Sequence, residues 1–214
     1  MSPYFWSRGT RRLHGVAISH PHSDHVGMRS IIENFRPQEL WYRLESPTPE
    51  SVELAATARN FGVAFRPRVA GEAFDFGSVQ ASVLNPRVGE SAANPAQDDE
   101  SMLLRFQFRE TSALLVGDAH RRTGSLLEGE NPRADPLKIG HQGRATSSSP
   151  DFLQAVASQF AVVSAGYYNT FRHQQRNIMK RCADWGIRTY RTALAGEVRS
   201  YLDGEKVTAQ TAPH

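Results

Sequence analysis

Short apolar runs alternate along most of the chain with segments in which apolar residues have helical spacing. Apolar runs of about four to eight residues are typical of buried strands, whereas helical spacing is typical of a helix with one buried face. The runs predict strands over residues 14–18, 38–43, 63–69, 79–84, 102–108, 112–116, 137–139, 160–164, 187–191 and 197–202. The helical spacing predicts helices over residues 3–12, 26–34, 49–60, 121–129, 150–158 and 174–185.

This alternation of strands and helices predicts an α/β layered fold. The short link Arg109-Glu110-Thr111 predicts a hairpin between two strands, and Ser149 is in the position of a helix N-cap. Residues 85–100 are rich in Pro, Asn, Gly, Ala and Asp and predict a long loop, a feature that often carries function. Because domains have roughly 100–200 residues, we expect a single domain over residues 1–214.

Composition narrows the class of protein only a little. Hydrophobic residues make up 39% and charged residues 22%, which is typical of a globular chain, and a net charge of +3 is too small to indicate nucleic acid by itself. We expect no transmembrane segment and no signal peptide, because no apolar run approaches ~18 residues and the start lacks a long apolar stretch. The single cysteine, Cys182, cannot form an internal disulfide, which fits a reducing compartment.

The strongest chemical signal is a cluster of three histidines and one aspartate directly after the first predicted strand. It reads Ser19-His20-Pro21-His22-Ser23-Asp24-His25. Imidazoles and carboxylates bind zinc and similar divalent ions well. In an extended backbone His20 and His22 point to the same side and can bind one ion, which leaves Asp24 and His25 for a second. The alternative is a histidine-rich surface turn, but a turn needs neither three rings nor this spacing.

Two later strands end in a glycine that is followed, at once, by a side chain able to bind a metal. Asp118 follows Gly117, and His141 follows Gly140. Glycine allows the backbone to turn sharply, so each side chain is predicted at a strand tip. Asp118 is also a favourable N-cap for the helix over 121–129, and the two roles are compatible. His173, just before another predicted helix, is a further candidate.

Taken in order, these segments resemble the metallo-β-lactamase superfamily and, within it, the C-terminal hydrolase domain of ComEC proteins, which act in bacterial DNA uptake. The pattern H-x-H-x-D-H with the later strand-tip Asp and His carries the superfamily resemblance. The ComEC resemblance is carried by segments that span nearly all of the chain: Pro3–Gly9 with Arg11–Leu13, Asn34–Trp41, Asp98–Arg105, Leu114–Asp118, Leu137–Gly143 with Thr146–Ser148, Asn169–His173, and Tyr190–Thr192 with Gly196.

The resemblance implies an αββα four-layer sandwich, here without its first N-terminal strands, with two divalent ions at one edge. The ions would be zinc or manganese. It implies the following ligands: His20 and His22 on one ion, Asp24, His25 and His141 on the other, and Asp118 as the bridge between them.

The resemblance also implies hydrolysis of the DNA strand that is not imported, with single-stranded DNA as the substrate. Asp24 would orient the attacking water or accept its proton, and His173 would contact the phosphate or protonate the leaving group. The residues expected to bind substrate are Arg144, Arg172 and Asn169. A ComEC membrane channel is the expected partner, in cis within a longer protein or in trans.

Several positions depart from the ComEC pattern. Gln142 and Arg144 replace the second histidine and the serine of H-H-G-S, Arg172 and Gln174 replace the glycine and proline of G-H-P, and Asp98 stands where asparagine is usual. Two alternatives therefore stay open: a non-catalytic metal- or DNA-binding fragment, and a metallo-hydrolase of another ester, thioester or lactam. The family domain has an additional N-terminal part, so three interpretations stay open: a fragment of a longer protein, a chain with a misassigned start, or half of a split gene. As a fragment, this bacterial chain would be associated with the membrane through a parent ComEC channel, and otherwise it would be cytoplasmic.

Overall fold

The structure, a computed structural model, describes residues 2–19, 28–42, 49–87, 101–118, 127, 132–140, 143, 148–165 and 172–212. The chain divides into two compact units, Met1–Arg68 and Val69–His214. The expectation of a single domain over residues 1–214 stays a prediction, because two compact units can unfold together or separately.

The first unit contains a three-stranded parallel sheet. Its strands lie in the order β1 (Gly15–Ala17), β2 (Glu39–Tyr42) and β3 (Ala64–Pro67). Parallel neighbours need a crossover connection, and the helices between these strands in sequence supply it. The helices of the unit are α1 (Ser2–Ser7), α2 (Met28–Phe35) and α3 (Pro49–Asn60). Buried apolar residues from the strands and helices form one core: Val16, Ile18, Ile31, Ile32, Phe35, Leu40, Ala58 and Val63.

The second unit is built on a seven-stranded mixed sheet with the strand order β10-β9-β8-β7-β6-β5-β4. Its strands are β4 (Ala73–Phe76), β5 (Val79–Asn85), β6 (Leu103–Phe108), β7 (Thr111–Leu115), β8 (Leu137–Lys138), β9 (Phe160–Val163) and β10 (Arg188–Arg191). Strands β4 to β7 are antiparallel, and β7 to β10 are parallel. A separate hairpin pairs β11 (Glu197–Leu202) with β12 (Val207–Ala212). The helices are α4 (Pro150–Val156), α5 (Arg172–Asp184) and α6 (Thr192–Ala195).

The core of the second unit joins the central strands to α4 and α5. It contains Leu114 and Leu137 from the sheet, Phe152 from α4 and Cys182 from α5, all nearly or completely buried. Burial raises the pKa of the Cys182 thiol, because the thiolate is poorly solvated there. The cysteine thus behaves as a small apolar core residue.

The predicted elements are present wherever the structure describes them, with a few differences. The predicted hairpin joins β6 to β7, with Phe108 opposite Thr111. The first helix ends at Ser7 instead of residue 12, because Gly9 has a positive φ of 71° that ends it. The pattern did not predict two short elements, β4 and α6, or the six-residue strand β12. The helix predicted over 121–129 lies outside the described residues, apart from the buried Leu127.

Among the described residues, no helix combines the length and the apolar character that a membrane crossing requires.

Ser149 caps α4, as the sequence predicted. Its Oγ accepts a hydrogen bond from the Phe152 N–H at 3.2 Å, and Pro150 follows at the first helical position. Such a cap satisfies one of the N–H groups that have no partner inside the helix.

Replacing Ser149 by alanine should lower the free energy of unfolding by about 1 kcal/mol, the usual value of a serine N-cap. For a chain of this size the melting temperature should fall by about 2–4 °C. Thermal melts followed by circular dichroism measure the shift, with Ser78→Ala as the matched control, because Ser78 is an exposed turn residue. Equal melting temperatures for both variants would contradict the role of the cap.

Candidate metal centre

Three neighbouring strands of the second unit have their carboxyl ends at the same edge of the sheet. Strand β7 is parallel to β8, and β8 is parallel to β9. Leu115 pairs with Lys138, and Lys138 pairs with Val162. Neighbouring strands are about 4.8 Å apart, so the segments that leave these strands start close together. Parallel α/β sheets commonly form their sites at this edge.

The predicted ligands Asp118 and His141 follow β7 and β8 at equal sequence distance. Each lies three residues beyond one member of the pair formed by Leu115 and Lys138. Asp118 is partly buried, whereas His141 lies outside the described residues. The register of the two strands is therefore consistent with a shared position of both side chains at this edge.

The peptide group between Gly117 and Asp118 is held at both ends by side chains. Its N–H, which belongs to Asp118, donates to Ser101 Oγ at 3.0 Å. Its carbonyl, which belongs to Gly117, accepts from Lys138 Nζ at 3.2 Å. Gly117 has a φ of 55°, a left-handed conformation. That conformation costs a residue with a Cβ roughly 1–2 kcal/mol. The glycine conformation and the two hydrogen bonds together fix where the Cα of Asp118 lies.

Ser101 is itself fixed inside the second unit. It is completely buried, and its carbonyl accepts a hydrogen bond from Asn85 Nδ2 at 2.8 Å. Asn85 is also buried and follows an irregularity in the β5–β6 register between Val83 and Asn85. Because buried polar groups need partners, the Asn85–Ser101 contact satisfies both residues and supports the segment that holds Asp118.

Lys138 brings a positive charge close to Asp118. Burial lowers the pKa of Lys138, and the negative charge of Asp118 acts in the opposite direction. An ammonium group that is partly buried needs both a hydrogen-bond acceptor and a compensating charge. The Gly117 carbonyl supplies the acceptor, and the Asp118 carboxylate supplies the charge.

Of the predicted site residues, the structure describes Asp118 completely and two others by their backbone. Arg172 and His173 are the first two residues of α5. The other predicted residues lie outside the described residues: His20, His22, Asp24, His25, His141, Arg144 and Asn169. Within the described part of the chain, no group of three or more His, Cys, Asp or Glu side chains is placed to bind a metal ion.

The first histidine of the cluster follows the described residue Ser19 directly. The Ile18 N–H donates to the Trp41 carbonyl at 2.9 Å, so the parallel pairing of β1 with β2 continues beyond Ala17. The histidine cluster is therefore connected to the carboxyl end of a paired strand, as the sequence predicted.

The predicted donor set is chemically suited to divalent ions. It consists of four imidazoles and two carboxylates, and nitrogen and oxygen ligands of this kind bind both zinc and manganese. Asp118 is the donor whose surroundings are described. Because its backbone is already fixed, binding an ion would order only the side-chain torsions of Asp118.

Three residues of this region were not assigned a role from the sequence: Asn85, Ser101 and Lys138. Ser101 and Lys138 lie in segments that resemble the ComEC pattern, so a signal was present. Their meeting at one peptide group depends on the pairing of distant strands, which no local pattern records.

Several curated bacterial proteins match nearly the whole chain. ComE operon protein 3 of Bacillus subtilis is 26% identical over 204 residues, which cover 92% of this chain and 26% of the relative. Recombination protein 2 of Haemophilus influenzae is 26% identical and is matched over 98% of this chain and 25% of its own length. Competence protein ComA of Neisseria gonorrhoeae is 28% identical, and the match covers 97% of this chain and 28% of ComA. The chain thus spans about a quarter of the length of these relatives. No family model matches the chain.

Solved structures resemble the chain in fold at low sequence identity. The metallo-β-lactamase fold protein YhfI from Bacillus subtilis has a TM-score of 0.56 at 10% identity, with 88% of this chain and 79% of YhfI covered. CmlA, a diiron β-hydroxylase from Streptomyces venezuelae, has a TM-score of 0.57 at 14% identity. The match covers 85% of this chain and 44% of CmlA.

The chain therefore has the metallo-β-lactamase fold, as the sequence predicted. Its relatives in sequence are competence proteins of the ComEC family, which confirms the resemblance seen in its motifs.

Proposed function

We propose that this chain is a metal-dependent phosphodiesterase that cleaves single-stranded DNA as part of a DNA-uptake protein. The observation that carries the proposal is the parallel pairing of β7 with β8. Because of this pairing, the segments that lead to Asp118 and His141 leave the sheet side by side. Each of the two residues lies three positions beyond a member of the Leu115–Lys138 pair. The H-x-H-x-D-H cluster supplies the remaining ligands, and the relatives named for competence support the biological setting.

The proposed site would hold two divalent ions, with the side chains of His20, His22, Asp24, His25, Asp118 and His141 as ligands. When bound, such ions lower the pKa of a coordinated water and neutralise charge on phosphate oxygens. We expect zinc first and manganese second. Both ions accept the nitrogen and oxygen ligands of the proposed site.

The remaining chemistry is assigned to side chains around the ions. Asp24 would orient the attacking water or accept its proton, and His173 would contact the phosphate or protonate the leaving oxygen. Arg144 and Arg172 bind the phosphate, because guanidinium groups match its geometry, and Asn169 donates a hydrogen bond to the substrate. Arg172 and His173 begin α5, and the amino end of a helix favours a negatively charged group.

A second candidate function is favoured by the sequence departures at Gln142, Arg144, Arg172 and Gln174. These residues replace side chains of the ComEC pattern next to the proposed ligands, and a chain that binds metal or DNA without turnover would tolerate them. A third candidate is hydrolysis of another ester, thioester or lactam, because the fold itself does not fix the substrate.

A substrate panel separates these candidates. Protein purified without chelators is assayed for metal content, and then with zinc or manganese on single-stranded DNA, double-stranded DNA of the same sequence, a small chromogenic phosphodiester and a chromogenic lactam. We expect bound metal and cleavage of the phosphodiesters, with single-stranded DNA preferred. Bound metal without any turnover would favour the non-catalytic candidate, and lactam cleavage alone would favour the third.

The proposed partner is a ComEC membrane channel, in the same polypeptide or as a separate subunit. The support is that the relatives are about four times as long as the matched segment and that two carry names from competence. A hydrolase next to such a channel would degrade one strand of DNA while the other passes.

A further inference from the structure

We infer that Lys138 and Ser101 are positioning residues that fix Asp118 as a metal ligand by holding the Gly117–Asp118 peptide from both sides. The inference rests on the proposed metal site and goes beyond it, because it assigns roles to two residues that do not bind the ions. Neither residue is a ligand type that the predicted donor set needs.

The geometry distinguishes this arrangement from ordinary strand-end hydrogen bonding. The peptide lies beyond Leu115, the last residue of β7, so no strand ladder holds it. Its N–H and carbonyl instead meet a hydroxyl at 3.0 Å and an ammonium at 3.2 Å, from segments on opposite sides of β7. A peptide plane held at both its donor and its acceptor cannot rotate without breaking a hydrogen bond.

Both holding groups are fixed by their own surroundings. Ser101 is completely buried and bonded through its carbonyl to Asn85. Lys138 is the residue of β8 that pairs with Leu115, so its backbone is tied to the strand that leads to Asp118. Lys138 also lies three residues before His141. One short segment therefore contains a predicted ligand, His141, and the residue that supports another predicted ligand, Asp118.

A lysine in this place is unfavourable for stability alone. A partly buried ammonium loses part of its solvation, and a methionine of similar length would fill the same space without that loss. The ammonium is nevertheless present, and its hydrogen bond goes to the residue before a predicted ligand. The Gly117 carbonyl and the Asp118 carboxylate compensate this charge, so the lysine is held by the same peptide whose position it fixes.

The test measures metal binding by the whole chain for wild type, Lys138→Met and Ser101→Ala. Titration with zinc and with manganese gives the dissociation constant of each ion. The visible spectrum of the Co²⁺-loaded protein reports the geometry of the ligands around the ion. Both are recorded at a temperature at which circular dichroism shows every variant to be folded. The matched control is Lys180→Met, because Lys180 is an exposed lysine of α5 whose side chain is 78% accessible.

We expect Ser101→Ala, which changes no charge, to raise the dissociation constant by about 10–100-fold, the usual effect of losing a group that orients a ligand. Lys138→Met should raise it by less, because this variant also removes a positive charge that repels the ions. The Co²⁺ spectrum should change in both, and Lys180→Met should match the wild type. Unaltered metal affinity and spectra in both folded variants would overturn the inference. Failure of both variants to fold would also overturn it, since the two residues would then be structural.

The outcomes separate this inference from the proposed function. A wild type that binds two ions but cleaves no phosphodiester refutes the phosphodiesterase, and the metal affinities of the variants still decide the positioning role. A wild type that binds no divalent ion refutes both.

Discussion

Replacing His22 by alanine is expected to reduce metal-dependent phosphodiester cleavage by at least ~100-fold, because even groups that only orient a ligand contribute 10–100-fold. His22 is a predicted direct ligand, so its loss removes a bond to the ion itself. The measurement is the initial rate on single-stranded DNA and on a small phosphodiester with zinc or manganese, together with circular dichroism.

His14→Ala is the matched control for this variant. His14 is an exposed histidine that precedes β1, and its contacts to the chain include carbonyl hydrogen bonds that alanine preserves. We expect the control to keep wild-type activity. If His22→Ala is folded and as active as His14→Ala, the histidine cluster is not the metal site.

Replacing Asp118 by alanine should remove at least one of the two expected ions and should lower activity by at least ~100-fold, by the same reasoning about ligands. Asp118 is predicted to bridge the ions, and its backbone position is fixed by hydrogen bonds that do not use its side chain. The alanine variant keeps both backbone hydrogen-bonding groups and loses the carboxylate, together with its charge interaction with Lys138. Elemental analysis of the purified protein counts the ions, and the phosphodiester assay measures the activity.

Asp75→Ala serves as the control for Asp118→Ala. Asp75 is an exposed aspartate on β4, the strand at the far edge of the seven-stranded sheet. It should leave both metal content and activity unchanged. Two ions retained in Asp118→Ala would show that the carboxylate is not a ligand, whatever the activity of the variant.

The elements with strong apolar patterns could be predicted from the sequence, and those without could not. The runs around Leu114 and Phe160 are apolar because both faces of a central strand are covered, so they are visible in the sequence. Strand β12, over Val207–Ala212, has no fully buried residue and carries small and polar side chains, so its pattern is weak. Strand β4 is an edge strand with exposed positions and is equally hard to predict.

The candidate site was predictable at the level of residue types and strand tips, but its internal contacts were not. Gly117 before Asp118 indicates a sharp turn, and the structure gives Gly117 the positive φ that such a turn uses. The hydrogen bond from Lys138 to Gly117 joins residues 21 positions apart. It arises from the parallel pairing of β7 with β8, and strand order depends on the packing of the whole sheet rather than on any local pattern.

The sequestered thiol makes the second unit's integrity easy to follow in every variant described above. Cys182 is the sole cysteine, it lies on α5 with its thiol in the core of the second unit, and burial raises the pKa of that thiol. A maleimide or disulfide reagent can modify it only in molecules whose core has opened. The labelling rate therefore measures how often this unit opens. In the same sample it distinguishes a variant that has lost metal binding from one whose fold is damaged.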